Sequence, residues 1–170
     1  MVPYHPGMEI RDDELVLRPI EKRDVDALVD ALNDPDIVRF IPGVPSPYTR
    51  ADAKAWVRRC KQVRRAGQSW PLAILDAETG ELLGSIELHF TGPTVGYWVA
   101  PEARGRGVAT RALELVCAST ERRPLRLTTH PDNLASQRVA EKAGFRRIGS
   151  TTDHPPFRDG TRTAALFELA

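Results

Sequence analysis

The stretch that decides the fold reads Val99-Ala100-Pro101-Glu102-Ala103-Arg104-Gly105-Arg106-Gly107-Val108-Ala109. Before it, residues 94–99 alternate as a strand. After it, Val108, Ala112, Leu115 and Val116 recur at the spacing of one buried helix face, which predicts a helix over about 105–120. A strand that turns into a helix through two glycines has a physical use. Glycine lets the backbone come close to a ligand and exposes several N–H groups, and the helix start adds unpaired donors and a positive dipole end. Arg104 and Arg106 add formal charge, and each charge-assisted bond to a phosphate contributes about 1.5–3 kcal/mol. Gly-x-Gly alone also describes an ordinary tight turn with surface arginines. Its place between strand and helix favours an anion site.

Working outward, residues 14–19 alternate as a strand, and Asp24 can cap a helix through Val25, Leu28, Val29 and Leu32 that ends near Asn33-Asp34-Pro35. A short helical piece over 36–40 runs into a proline-rich stretch. Thr49 opens a longer helix to about Ala66, with Ala53, Trp56, Val57 and Cys60 on one stripe. Strands follow at 70–75, 82–90 and 94–99, with turns between them. Beyond the central helix the order is strand 125–130, helix 133–143, strand 145–151 and strand 163–169. An antiparallel meander leading into a β-α-β unit predicts a mixed, three-layer α/β fold. The chain reads as one domain over 1–170, with 1–13 as a loose lead-in.

The bulk numbers restrict the partners. Lys plus Arg number 24 against 23 Asp plus Glu, a formal net charge of +1 in 170 residues. That balance gives no support to bulk attraction to nucleic acid or anionic lipid, so the arginine-rich helix before residue 66 reads as a solvated face. Cys60 and Cys117 lack metal-ligand spacing and read as packing residues, so no metal is expected. No apolar leader or membrane-length run is visible, and the expected compartment is the cytoplasm.

Arg104-x-x-Gly107-x-Ala109, preceded by Gly96-Tyr97-Trp98-Val99 and Pro101, resembles the pyrophosphate motif of the GNAT superfamily of N-acetyltransferases. Asn133-x-x-Ser136 with Glu141-Lys142-Ala143-Gly144-Phe145 resembles the second coenzyme-contacting block of that superfamily. Leu15 to Pro19 with Asp24, and Gly84 before a long strand, are similar to the branch of ribosomal-protein N-terminal acetyltransferases. The resemblance implies acetyl-CoA as co-substrate, with pantetheine in a gap between the strand ending at Val99 and the one starting near Leu125. It implies that backbone around Trp98 and Val99 pairs with pantetheine. It also implies that the amides of Arg104, Gly105, Arg106, Gly107, Val108 and Ala109 take the pyrophosphate. A small side chain at Ala109 keeps the helix start close to the phosphates. The competing dinucleotide motif fails, because Thr110 stands where a third glycine is needed and the turn follows an antiparallel meander.

An amine must attack the thioester in its neutral form, so a base or a water must take its proton. Alternation puts Ser85, Glu87 and His89 on one face of their strand, and Glu87 is the first choice as base. An ion-paired surface carboxylate is the plainer alternative. His130 is a second candidate, and His154 could line the acceptor entrance. The superfamily often carries a tyrosine on its second helix that protonates the leaving sulfur; the matching position here is Ala140. Asn133, Ser136 and Ala140 share a helix face. Ser136 could donate to the sulfur and Asn133 could orient the pantetheine, or the two could be a helix cap and a solvated side chain. The branch resemblance implies a protein or peptide N-terminus as acceptor, with small amines left open, as is a homodimer. A non-catalytic acyl-CoA sensor is the second functional class, and nucleic-acid binding through Arg104-Gly105-Arg106-Gly107 is the third.

Overall fold

The computed structural model describes residues 8–170. Residues 1–7 of the expected lead-in lie outside the described residues. Eight strands form one sheet: β1 (Ile10–Arg11), β2 (Leu15–Pro19), β3 (Ser69–Asp76), β4 (Leu82–His89), β5 (Thr94–Val99), β6 (Leu125–Thr129), β7 (Arg146–Thr151) and β8 (Ala164–Leu169). Their spatial order is β1-β2-β3-β4-β5-β6-β8-β7. Every pairing is antiparallel except β5 with β6. The helices are α1 (Val25–Leu32), α2 (Pro35–Phe40), α3 (Arg50–Arg65), α4 (Val108–Ala118) and α5 (Leu134–Lys142).

Helices cover both faces of the sheet centre, which is why β3 is buried from Ser69 to Leu75. Its alternate residues serve two cores. Trp70, Leu72 and Ile74 join Leu17, Ile86, Leu113, Val116 and Leu127 on the α4 and α5 side. Ala73 and Leu75 join Leu28, Ile37, Val57 and Cys60 on the α1 to α3 side. The three-layer α/β architecture expected from the sequence is the one found. No helix among the described residues is long and apolar enough to cross a membrane.

The structure corrects several local expectations. Ile10–Arg11 is a strand on the sheet edge and not a loose lead-in, because its partners on β2, Leu17 and Val16, extend its ladder. Helix α4 starts at Val108 and not near Gly105: Gly105 and Gly107 have φ of 73° and 76°, outside helical geometry. Its buried stripe includes Leu113, with Leu115 only half-buried. Asp24 places no side-chain cap on α1. Its carboxylate instead accepts from the Arg18 guanidinium at 2.7 and 2.8 Å and from the Glu21 N–H at 2.8 Å. Thr49 caps α3 as expected, accepting from the Asp52 N–H while the Asp52 carboxylate accepts in return from the Thr49 N–H.

Candidate active site

The turn between β5 and α4 begins with a 3-10 turn, Pro101–Ala103, in which the Arg104 N–H bonds the Pro101 carbonyl at 3.3 Å. The Arg104 amide is therefore engaged within the turn. From Gly105 to Thr110, no N–H meets an acceptor among the described residues, and the Arg111 N–H, bonded to the Gly107 carbonyl, is the first to be satisfied. The left-handed geometry at Gly105 and Gly107 keeps the chain before Val108 out of helical geometry, so these donors find no partner one turn earlier. Ala109, in the first turn of α4, adds only a methyl group beside them.

The arginine side chains do something the sequence did not announce. Arg104 pairs with Asp34, the N-cap of α2, and lies 3.5 Å from Asp36. Arg106 reaches Asp76 at the end of β3 at 3.4 Å. Arg111, one turn into α4, pairs with Asp12 and with Glu14 at 3.1 Å. Burial opposes ionisation of Asp34, but Arg104 and the Ile37 N–H hold its carboxyl below the usual range. The guanidinium groups thus brace the loop against the N-terminal half, and the amides are the free donors. An open cavity of about 630 Å³ adjoins them, lined by Arg106, Gly107, Val108, Thr110, Arg111 and Lys142 among others.

The second feature is a gap in the sheet. β5 and β6 share a single register pair, Thr94 with Arg126, and diverge beyond it. The Ala100 N–H bonds Leu83 on β4 at 2.8 Å. By ladder alternation, Trp98 also turns its backbone groups to β4, whereas Tyr97 and Val99 turn theirs to the gap. Gly84 explains how β4 and β5 stay close here: a Cβ on it would stand 2.3 Å from the Trp98 carbonyl oxygen.

Helix α5 flanks the gap. Asn133 caps it, its Oδ1 accepting from the Ser136 N–H at 3.1 Å, so that part of the amide is occupied. Ala140 is fully buried. Ser136 is not merely solvated. Its hydroxyl lies 3.0 Å from the Tyr97 hydroxyl, which also reaches the Ser136 carbonyl at 3.2 Å. Tyr97 escaped the sequence reading as a site residue, although alternation in Gly96-Tyr97-Trp98-Val99 puts it on the face opposite Trp98.

On the other face, Glu87 stands opposite Pro71 on β3 and Gly96 on β5. Only 12% of its side chain is exposed. Oε1 accepts from the Ser69 hydroxyl at 2.6 Å, with Arg59 at 3.7 Å and His89 at 3.9 Å. A Cβ on Gly96 would meet nothing within 4 Å, so the space beside the carboxylate is open. The Cys60 thiol is pushed up to about 12 by burial, with the Glu87 charge adding to it. It is a packing group, as expected.

The two histidines fare differently. His130 is 2% exposed, between Phe40 and Phe157. Its Nδ1 accepts from the Asp132 N–H at 3.0 Å, so Nε2 carries the proton and donates to Asp159 at 3.0 Å. With both nitrogens engaged, His130 has no lone pair for an incoming amine, and the sequence expectation for it as a base is withdrawn. His154 stands on Phe157, its Nδ1 donating to the Pro155 carbonyl at 2.5 Å.

The acetyltransferase (GNAT) domain family matches residues 14–146, and the chain belongs to that family. A Bacillus subtilis protein described as the uncharacterized N-acetyltransferase YnaD is 29% identical over 151 residues, covering 84% of this chain and 85% of its own. Several solved structures share the fold. RimL, a ribosomal L7/L12 α-N-protein acetyltransferase in complex with coenzyme A, superposes with a TM-score of 0.84 at 17% identity, over 95% of this chain and 97% of its own. Mycobacterium smegmatis RimJ in complex with a CoA-disulfide gives 0.81 at 20% identity, over 96% and 86%.

Proposed function

We propose that the chain transfers acetyl from acetyl-CoA to a primary amine by direct attack in a ternary complex, and that the amine is a protein or peptide N-terminus. The observation that carries this reading is the run of unengaged N–H donors from Gly105 to Thr110, at a helix start and beside a gap in the sheet. Those amides take the pyrophosphate, with Val108 and Ala109 keeping the helix close. The Val99 backbone, turned to the gap, pairs with pantetheine; Trp98, bonded to β4, shapes the acceptor face. Asn133 fixes the start of α5, and Ser136 offers its hydroxyl to the sulfur.

Chemistry follows from placing the two reactants side by side. The acetyl group enters from the α5 side of the gap, and the amine from the Glu87 side. Glu87, held by Ser69, takes the amine's proton directly or through water as the N–C bond forms. The C–S bond then breaks with its electron pair on sulfur. A thiol has an ordinary pKa near about 8.5, so thiolate leaves without full proton donation. The likeness to RimL, described as a ribosomal L7/L12 α-N-protein acetyltransferase, favours a peptide acceptor. The small residue at Ala140, where many family members carry a proton-donating tyrosine, favours a second reading as a non-catalytic acyl-CoA sensor.

Thiol release from acetyl-CoA, measured against a panel of short peptides and small amines, separates these readings alongside calorimetry with coenzyme A. Release that requires a peptide N-terminus supports the proposal, and release only with small amines moves the acceptor class. Tight binding with no release for any amine leaves the sensor, and no binding overturns both.

A further inference from the structure

Two hydroxyl groups from different elements meet on the α5 side of the gap. Tyr97 reaches across from β5, and its hydroxyl lies 3.0 Å from Ser136 Oγ and 3.2 Å from the Ser136 carbonyl oxygen. Tyr97 packs against the core cluster that contains the fully buried Ala140, so the helix position one turn beyond Ser136 offers no polar group of its own. Ser136 also sits in the first turn of α5, fixed by the Asn133 cap. A serine hydroxyl on a helix ordinarily turns back to the carbonyl one turn earlier. At Ser136 a phenol is the partner.

We propose that Tyr97 is a positioning residue for Ser136: its single proton is shared between the Ser136 carbonyl oxygen and Ser136 Oγ, which leaves the serine O–H free to point at the coenzyme sulfur. This rests on the acetyltransferase reading above. As the C–S bond breaks, the electron pair goes to sulfur and the Ser136 O–H hydrogen-bonds to the thiolate. The amine's proton goes to Glu87 and then to solvent, and the released thiolate takes its proton from solvent.

Burial pushes the Tyr97 phenol up to about 12, with the Ser136 bond pulling slightly the other way. A thiol near about 8.5 is a far stronger acid, so the phenol keeps its proton throughout. The pair therefore acts as a fixed dipole aimed at developing charge, and not as a proton relay. A tyrosine that only filled space would leave the sulfur indifferent to its hydroxyl.

The test compares Tyr97→Phe, Ser136→Ala and the double variant, each checked for an unchanged melting temperature and coenzyme A affinity. The first readout is the pKa of the bound coenzyme A thiol, followed by thiolate absorbance in a pH titration; it requires binding but no turnover. Both single variants are expected to raise it by about one unit or more, and the double variant by no more than Ser136→Ala alone. The second readout is kcat, expected to fall about ten- to hundredfold with KM for acetyl-CoA unmoved, again without additivity. A bound-thiol pKa that Tyr97→Phe leaves in place overturns the assignment, as do additive losses in the double variant. If the wild-type chain does not bind coenzyme A, the reading beneath the proposal fails first. If it binds coenzyme A and turns over no amine, the thiol titration still decides the role of Tyr97.

Discussion

Glu87 is enclosed by groups that act in different directions. Its strand puts it beside the open space at Gly96, while Ser69 donates to it and Arg59 stands 3.7 Å away. Those partners fix one carboxylate oxygen, Oε1, which leaves Oε2 for an amine or a water. Substituting Glu87→Gln keeps the shape and removes the proposed base. Removal of a general base is expected to lower kcat by about 10²–10⁴ while the affinity for coenzyme A and the melting temperature stay close to wild type. Steady-state kinetics with calorimetry checks this, and a Glu87→Gln enzyme with unchanged kcat would return the carboxylate to a structural role.

At the scale of elements, the gap depends on how β5 is held on its other side. β4 and β5 run in register from Gly84 with Val99 to His89 with Thr94, and the tightest point is Gly84. A methyl group there would stand 2.3 Å from the Trp98 carbonyl and 3.1 Å from Val99 Cα, both backbone atoms that cannot rotate aside. Substituting Gly84→Ala must push β5 toward the gap or break the ladder. The expected cost is about 1–3 kcal/mol in stability, with weaker coenzyme A binding beyond it. Denaturant melts and calorimetry read the two losses separately, and unchanged affinity would show that Val99 is not a pantetheine contact.

Across the whole molecule, the two halves of the chain are joined at the turn between β5 and α4 and the helix start behind it. Asp12, Asp34 and Asp76 lie in the N-terminal half and hold Arg111, Arg104 and Arg106. Each carboxyl is kept below its ordinary value of 3.8. Desolvation opposes this for Asp12 and Asp34, and the arginines overcome it together with backbone N–H groups, those of Leu15 and Glu14 for Asp12 and those of Ile37 and Asp36 for Asp34. For Asp76 the backbone N–H groups of Thr79 and Glu78 are the main cause. A carboxyl depressed in the folded state contributes stability that is whole above its unfolded value and lost as pH falls through the folded one. Stability is therefore expected to hold above about pH 5 and to decline below pH 4. Melting temperature measured against pH should show a shallower acid limb for Asp34→Asn, and an identical limb would mean the pairing adds nothing.

Much of this was legible in the sequence because it is local. Strand alternation, the Thr49 cap, the two-glycine turn and the face shared by Asn133, Ser136 and Ala140 each follow from residues a few positions apart, where backbone geometry alone sets direction. The three layers and the gap beside Val99 could be expected on that basis and on the family resemblance. What only the tertiary structure decided are pairings between residues far apart in the chain. Tyr97 finds Ser136 39 positions away, Arg104 finds Asp34 70 away, and His130 is closed off by Asp159 29 away. Such contacts depend on which strands and helices become neighbours when the sheet assembles, and no local periodicity encodes them. The same physics explains the misplaced start of α4, since two glycines at positive φ hold the chain outside helical geometry until Val108 is buried against the sheet.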